Sequence, residues 1–239
     1  MAINNSIDTR RFERRLYLVA AILFPLIVLV GFARSYYLKG YYGTPSLPSL
    51  TVHLHGLVMS AWVLLFILQV WFISSKRIRL HQKLGYVGVA LAIAILITGF
   101  LTAVNAAKFG SPSFPRDIPP LAFIAVPLGD LLVFAILFGA AIYYRKRPAN
   151  HKRLILLTVI NFLPPALARI DFLAPFGPLT FFGIPAVLAI AALIIDTWRM
   201  GKLNKVFAAA TVFVVAAFPL RLIVAGTDAW MRFATWLTS

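Results

Sequence analysis

Apolar positions fall into seven runs, roughly 16–34, 51–74, 84–107, 121–144, 154–170, 179–197 and 205–225. Each except the fifth approaches the ~20 residues that cross a bilayer core as a helix. The pattern predicts an all-α, polytopic membrane bundle of seven transmembrane helices forming one domain over 1–239. Residues 1–15 would be a basic cytoplasmic tail, 16–225 the bundle, and 226–239 an outer interfacial tail. The fifth run is short and contains Pro164-Pro165. Proline removes backbone donors and breaks the turn, and in lipid the freed carbonyls need protein or water partners. A kink is expected there. The stretch from Asp171 to Pro178 either folds back into the outer leaflet or simply follows a packing kink. The first run follows Arg14-Arg15, as a signal peptide would. Its core exceeds the usual 7–15 residues and no A-x-A-type site follows, so a retained signal-anchor helix is expected.

Composition supports the membrane reading. Apolar residues make up 61% and charged residues 13%, with a mean hydropathy of +0.89. A soluble domain is about 45–50% apolar and about 25% charged. A soluble enzyme fold, disorder and a coiled coil are excluded. With no Cys, disulfides, thiolate metal sites, iron–sulfur clusters and cysteine nucleophiles are excluded too.

The formal charge of +16 changes the picture through its placement. The basic tail holds Arg10, Arg11, Arg14 and Arg15. The second-to-third connection holds Lys76, Arg77, Arg79 and Lys83, the fourth-to-fifth Arg145, Lys146, Arg147, Lys152 and Arg153, and the sixth-to-seventh Arg199, Lys202 and Lys205. The other connections and the C-terminal tail carry only Lys39, Lys108, Arg116 and Arg232. By the positive-inside rule the N-terminus is cytoplasmic and the C-terminus outside. The partner is then a lipid bilayer, not nucleic acid. Residues 35–50 and 108–120 are turn-rich and aromatic, as suits loops at a membrane interface. Trp230 and Trp236 in the tail would lie at headgroup level.

One internal repeat is visible. Arg77-Ile-Arg-Leu-His81-Gln-Lys83-Leu84 and Arg147-Pro-Ala-Asn-His151-Lys-Arg153-Leu154 both fit R-x-x-x-H-x-[KR]-L. Both join an outside-to-inside helix to an inside-to-outside one, so a duplication would be parallel, not inverted. With His53-Leu-His55-Gly, Trp62, Gln69, Gly85, Asp130 and Asn150-His151-Lys-Arg-Leu, the stretch from about 50 to 170 resembles uncharacterised bacterial integral membrane proteins of a domain-of-unknown-function family. That resemblance implies a bacterial inner membrane and supplies no activity.

Candidate chemistry sits in few residues. His53 and His55 are about 200° apart around a helix, so they cannot both face one ligand, and no metal site is expected. His55 heads the stripe His55-Met59-Trp62-Phe66-Gln69, one helix face, expected to point inward. His53 shares a side with Gly56 and Ser60, which suits close packing. Asp130 lies about 15 Å into the fourth helix. A charge there costs at least ~2.5–3.5 kcal/mol and calls for a partner. Arg169 and Arg221 are the leading cationic candidates, with Asn161, Thr158, Arg34 and Asn105 as further polar neighbours. His55, Asp130, Asn161, Arg169 and Arg221 together imply a polar pocket opening outward. A closed ion-pair network, or a protonated Asp130, would explain Asp130 equally.

No Gly-rich phosphate loop, H-E-x-x-H motif or close carboxylate pair is present, and no residue set names a reaction. Three classes of function remain. The first is a small-molecule binding protein, sensor or transporter using the outer pocket. The second is a haem- or metal-binding redox protein. His81 and His151 are the only histidines at matched depth on different helices, so they are the candidate axial ligands of a haem b. Lys83, Arg147, Lys152 and Arg153 stand nearby for its propionates. The third is an accessory subunit of a larger membrane complex.

Overall fold

A computed structural model describes residues 2–45, 49–111 and 117–239, with side chains from Phe12 onward. The side chains of Arg10 and Arg11, residues 46–48 of the first outer connection, and residues 112–116 of the second, with Arg116, lie outside the described residues. The helices are α1 (Ala2–Phe32, continued by a π-turn over Ala33–Tyr37), α2 (Leu50–Ser74), α3 (Ile78–Phe109), α4 (Pro120–Phe123) and α5 (Ala125–Tyr143). They continue as α6 (Pro148–Asn161), α7 (Pro164–Leu167), α8 (Pro178–Met200), α9 (Lys205–Ala225) and α10 (Asp228–Thr238). Six stretches are long and apolar enough to cross a membrane: Phe12–Tyr37, Leu50–Ser74, Ile78–Phe109, Pro120–Lys146, Pro178–Met200 and Lys205–Ala225. The chain is thus a helical, multi-pass membrane bundle. The basic tail expected over 1–15 is itself helical and continuous with the first run.

The fifth run departs from a plain helix. α6 is only 14 residues long; the chain turns at Phe162–Leu163, and Pro164-Pro165 open the one-turn α7. Proline fits the first turn, where its missing N–H has no intrahelical use. α6 is also the most enclosed helix, with Arg153, Leu154 and every residue from Leu156 to Asn161 buried. It contacts α1, α5, α8 and α9. A helix buried on all sides needs no lipid-facing stripe, so it can carry Arg153, Thr158 and Asn161. Its two flanks lie beside the two ends of the first span. Lys152 pairs with Glu13 at 2.5 Å, and Asp171 pairs with Arg34 at 2.5 Å. Glu13 and Arg34 are separated by about 30 Å of helix at 1.5 Å per residue. Between them Gly31 lies against Ala166, where an added Cβ would meet backbone atoms at 2.8 Å.

Packing builds several apolar clusters. One joins α5, α6, α8 and α9 through residues such as Leu137, Leu157, Phe207 and Phe218. A second joins α1 and α2 to α6 and α7 through Phe24, Phe66 and Leu163. A third sets Trp62 of α2 against Ile95, Phe134 and Phe162, with Trp62 edge-on to Phe134 at 5.3 Å. Helix caps are made by Ser49, Asn204 and Thr227, whose side chains accept from the third following N–H. The amphipathic α10 lies across the ends of α3 and α4, fixed by Trp230 donating to Leu121 O at 2.8 Å and by buried Ala234.

Candidate functional site

The five residues expected around one pocket separate into three places. Asp130, Asn161 and Arg221 form one network, in which Arg221 Nε is buried without a hydrogen-bond partner. Arg221 donates through one terminal nitrogen to Asp130 Oδ1 and through the other to Asn161 Oδ1 at 3.2 Å. Asn161 donates in turn to the Asp130 carbonyl at 3.0 Å. All three are buried, at 6%, 0% and 5% exposure. Gly129 makes room for the arginine, since a Cβ there would meet the Arg221 side chain at 2.8–2.9 Å. Each helix supplies one member, so the network ties α5, α6 and α9.

Arg169 has other partners. It donates to Pro165 O at 2.6 Å and stacks over Phe32 at 4.6 Å, so it braces the break after α6 against the end of α1. Arg34, a further candidate partner of Asp130, pairs with Asp171. His55 faces α3. The Thr98 hydroxyl gives its proton to Ala94 O at 2.7 Å, so it accepts from His55 Nδ1–H at 3.1 Å. Asn105 donates to Thr51 Oγ1 at 3.4 Å on the same α2–α3 seam. On the other face of α2, the Tyr36 ring covers Gly56 and Tyr37 shares a hydrogen bond with Ser60 at 2.9 Å. Small residues here admit the turn after α1, the close packing expected for that face. Trp62 and Phe66 of the His55 stripe are buried.

The repeat brings its two histidines together. His81, in the first turn of α3, and His151, in the first turn of α6, have ring centroids 6.3 Å apart with planes at 75°. His151 Nδ1 stands 2.8 Å from Ala141 O. A carbonyl only accepts, so this nitrogen carries the proton and the neutral ring leaves Nε2 bare. Gln69, last of the α2 stripe, reaches His81. With its amide nitrogen toward His81 it donates to His81 O at 3.2 Å and to Nδ1, and its oxygen accepts from Gly85 N–H at 3.2 Å. In this arrangement Nδ1 is the acceptor, so the neutral His81 ring carries its proton on Nε2 and has to move it to Nδ1 before Nε2 could bind a metal. Both rings are half-buried, and α3 and α6 do not pack along their lengths.

The cations around the pair are not equivalent. Arg153 is buried at 2% exposure. It grips Asp196 of α8 at 2.9 and 2.6 Å, donates to Ala149 O, and lies 3.8 Å from Glu13. Lys152 is held by Glu13. Arg147 stacks on Tyr144 at 5.8 Å. Sequence reading missed the Arg153–Asp196 clasp. The signal was there, since Asp196 is a lone acid near the end of an apolar run. Among the described residues no three His, Cys, Asp or Glu side chains come close enough to hold a bare metal ion. No protein-family model, curated protein or solved structure matches the chain.

Proposed function

We propose that this chain is a membrane redox protein that binds one haem b between His81 and His151. The observation carrying this reading is the 6.3 Å separation of the two rings. Two histidine rings this close, carried on different helices, could both serve as ligands of one haem. A bare ion would need three or four protein ligands. A haem would bring ligands of its own, so the two histidines would suffice to hold it. The Ala141 carbonyl on His151 Nδ1 supports ligation as well, because a ligating histidine characteristically gives its other N–H to a carbonyl or carboxylate. Lys83 and Arg147 are the cations left for propionates, with Lys152 and Arg153 committed to carboxylates. A bound haem would supply one-electron transfer at the membrane face that carries the basic connections.

The same reading makes the chain a bacterial inner-membrane protein with seven crossings, N-terminus cytoplasmic and C-terminus outside. The broken segment α6–α7 counts as the fifth crossing. Its two flanks pair with Glu13 and Arg34, about 30 Å apart along the first span, which is the thickness of a hydrocarbon core. The inner-membrane assignment rests on the resemblance of residues 50–170 and on the alternation of basic connections. The Asp130–Asn161–Arg221 network is taken as an internal tie. Its members supply most of one another's polar partners, with Arg221 Nε left over.

The test is optical. Protein purified from haem-replete cells should give a b-type dithionite-reduced minus oxidised spectrum at about one haem per chain. His81→Ala and His151→Ala should each abolish the low-spin signal. Colourless wild-type protein would overturn the haem reading. A spectrum surviving both substitutions would remove this pair as its ligands.

A further inference from the structure

A groove of about 400 Å³ runs along the lipid-facing seam between α5 and α9. Its floor is Leu137 and Leu154, both buried at 1–2% exposure. Ala140, Ala209 and Ala210 keep it open, since larger side chains there would bring the walls together. Tyr144 and Lys205 flank one end, and Ile136 and Phe213 the other. From Lys205 to Phe213, or from Tyr144 back to Ile136, is about 12 Å of helix. One leaflet of hydrocarbon is about 15 Å deep, half of a ~30 Å core. The groove therefore begins at the polar boundary and ends near the bilayer midplane.

The one charged residue that lines the groove is a cation, Lys205. Lys205 is the first residue of α9, exposed and without an acidic partner among the described residues. Lys202 stands three residues before it in sequence, and neither 144–153 nor 199–205 contains Asp or Glu. The first N–H groups of a 21-residue helix add positive potential at the same point.

We propose that this groove is a specific site for one anionic phospholipid. One acyl chain lies along Leu137, Ala140, Ala209 and Ala210, and the headgroup phosphate sits on Lys205 with Tyr144 beside the glycerol. The apolar length fixes a chain from the leaflet on the basic side, and the charge at the mouth selects an anionic headgroup over a zwitterionic one. The site stands apart from the histidine pair and does not depend on haem.

Native mass spectrometry of detergent-purified protein tests this, with titrations of phosphatidylglycerol and of phosphatidylcholine carrying the same chains. Wild type should retain one phosphatidylglycerol preferentially. Lys205→Gln should reduce that preference about fivefold, the effect of one lysine near an anionic surface, and leave phosphatidylcholine binding unchanged. Ala209→Phe fills the groove from an exposed position, so the core is spared, and should reduce retention of both lipids. Val212→Phe, exposed on the same helix outside the groove, should change neither. Equal retention of the two lipids by wild type, or wild-type behaviour of Lys205→Gln and Ala209→Phe, overturns the proposal. A dimer mass that disappears in Ala209→Phe would overturn it too, by assigning the groove to a second copy of the chain.

Discussion

Replacing Arg221 with Met should destabilise the protein by about 3–5 kcal/mol, the usual loss when one member of a buried ion pair is removed. The structure puts the effect at the upper end. The Arg221 and Asp130 side chains are 4% and 8% exposed, so water cannot replace the missing cation. Asn161 also loses the donor to its Oδ1. Asp130→Leu strands the guanidinium in the same way and should cost a similar amount. The double variant Asp130→Leu/Arg221→Met leaves no buried charge. Replacing a whole buried pair by apolar side chains is often neutral or stabilising, so it should recover most of the loss, short of about 1 kcal/mol for the unpaired Asn161 amide. Thermal unfolding in detergent reads the series. For a chain of this size about 2–4 °C accompanies each kcal/mol, so each single variant should melt about 6–20 °C lower and the double variant within about 4 °C of wild type. Single variants melting within 2 °C of wild type, or a double variant as unstable as the singles, would refute the description of this network as an internal tie.

The topology has a direct readout. A C-terminal alkaline phosphatase fusion should be active and a C-terminal fluorescent-protein fusion dark, and the reverse would mean an even number of crossings with α6–α7 failing to span. Gly31→Ala should lower stability by about 1–3 kcal/mol through overpacking, because its Cβ would meet the Ala166 backbone at 2.8 Å; an unchanged melting temperature would show that α1 and α7 can separate freely.

Most of the architecture could be read from the sequence because it follows from one-dimensional quantities. The apolar runs mark the six long spans, and the stripe from His55 to Gln69 marks the inward face of α2. The short fifth run was readable as short but not as central. Its burial comes from α1, α5, α8 and α9 closing round it, and nothing within 148–161 states that. Depth alone paired His81 with His151, since equivalent places in a repeat put both in first turns at one level. Depth did less for Asp130. Its sequence offered Arg34, Arg169 and Arg221, and rotation about each helix decides among them. Arg34 turns to Asp171 and Arg169 to Phe32, which leaves Arg221. Asp196 was overlooked because a single acid near a helix end reads as interfacial until Arg153 is seen beside it.

The polar content of α6 bears on how the protein is made. Arg153 has its carboxylate partner 43 residues later in the chain, and Asn161 has its guanidinium 60 residues later. When α6 leaves the ribosome, Glu13, which lies beside Lys152 and Arg153, and the Asp130 carbonyl already precede it, whereas Asp196 and Arg221 are still to be made. A 14-residue segment with Arg, Thr and Asn buried in it falls short of the ~20 apolar residues that cross a bilayer core, which makes it a poor substrate for insertion by itself. α6 can complete its polar pairs only once α8 and α9 are present. Truncation before Asp196 and Arg221 would leave Arg153 and Asn161 without those partners.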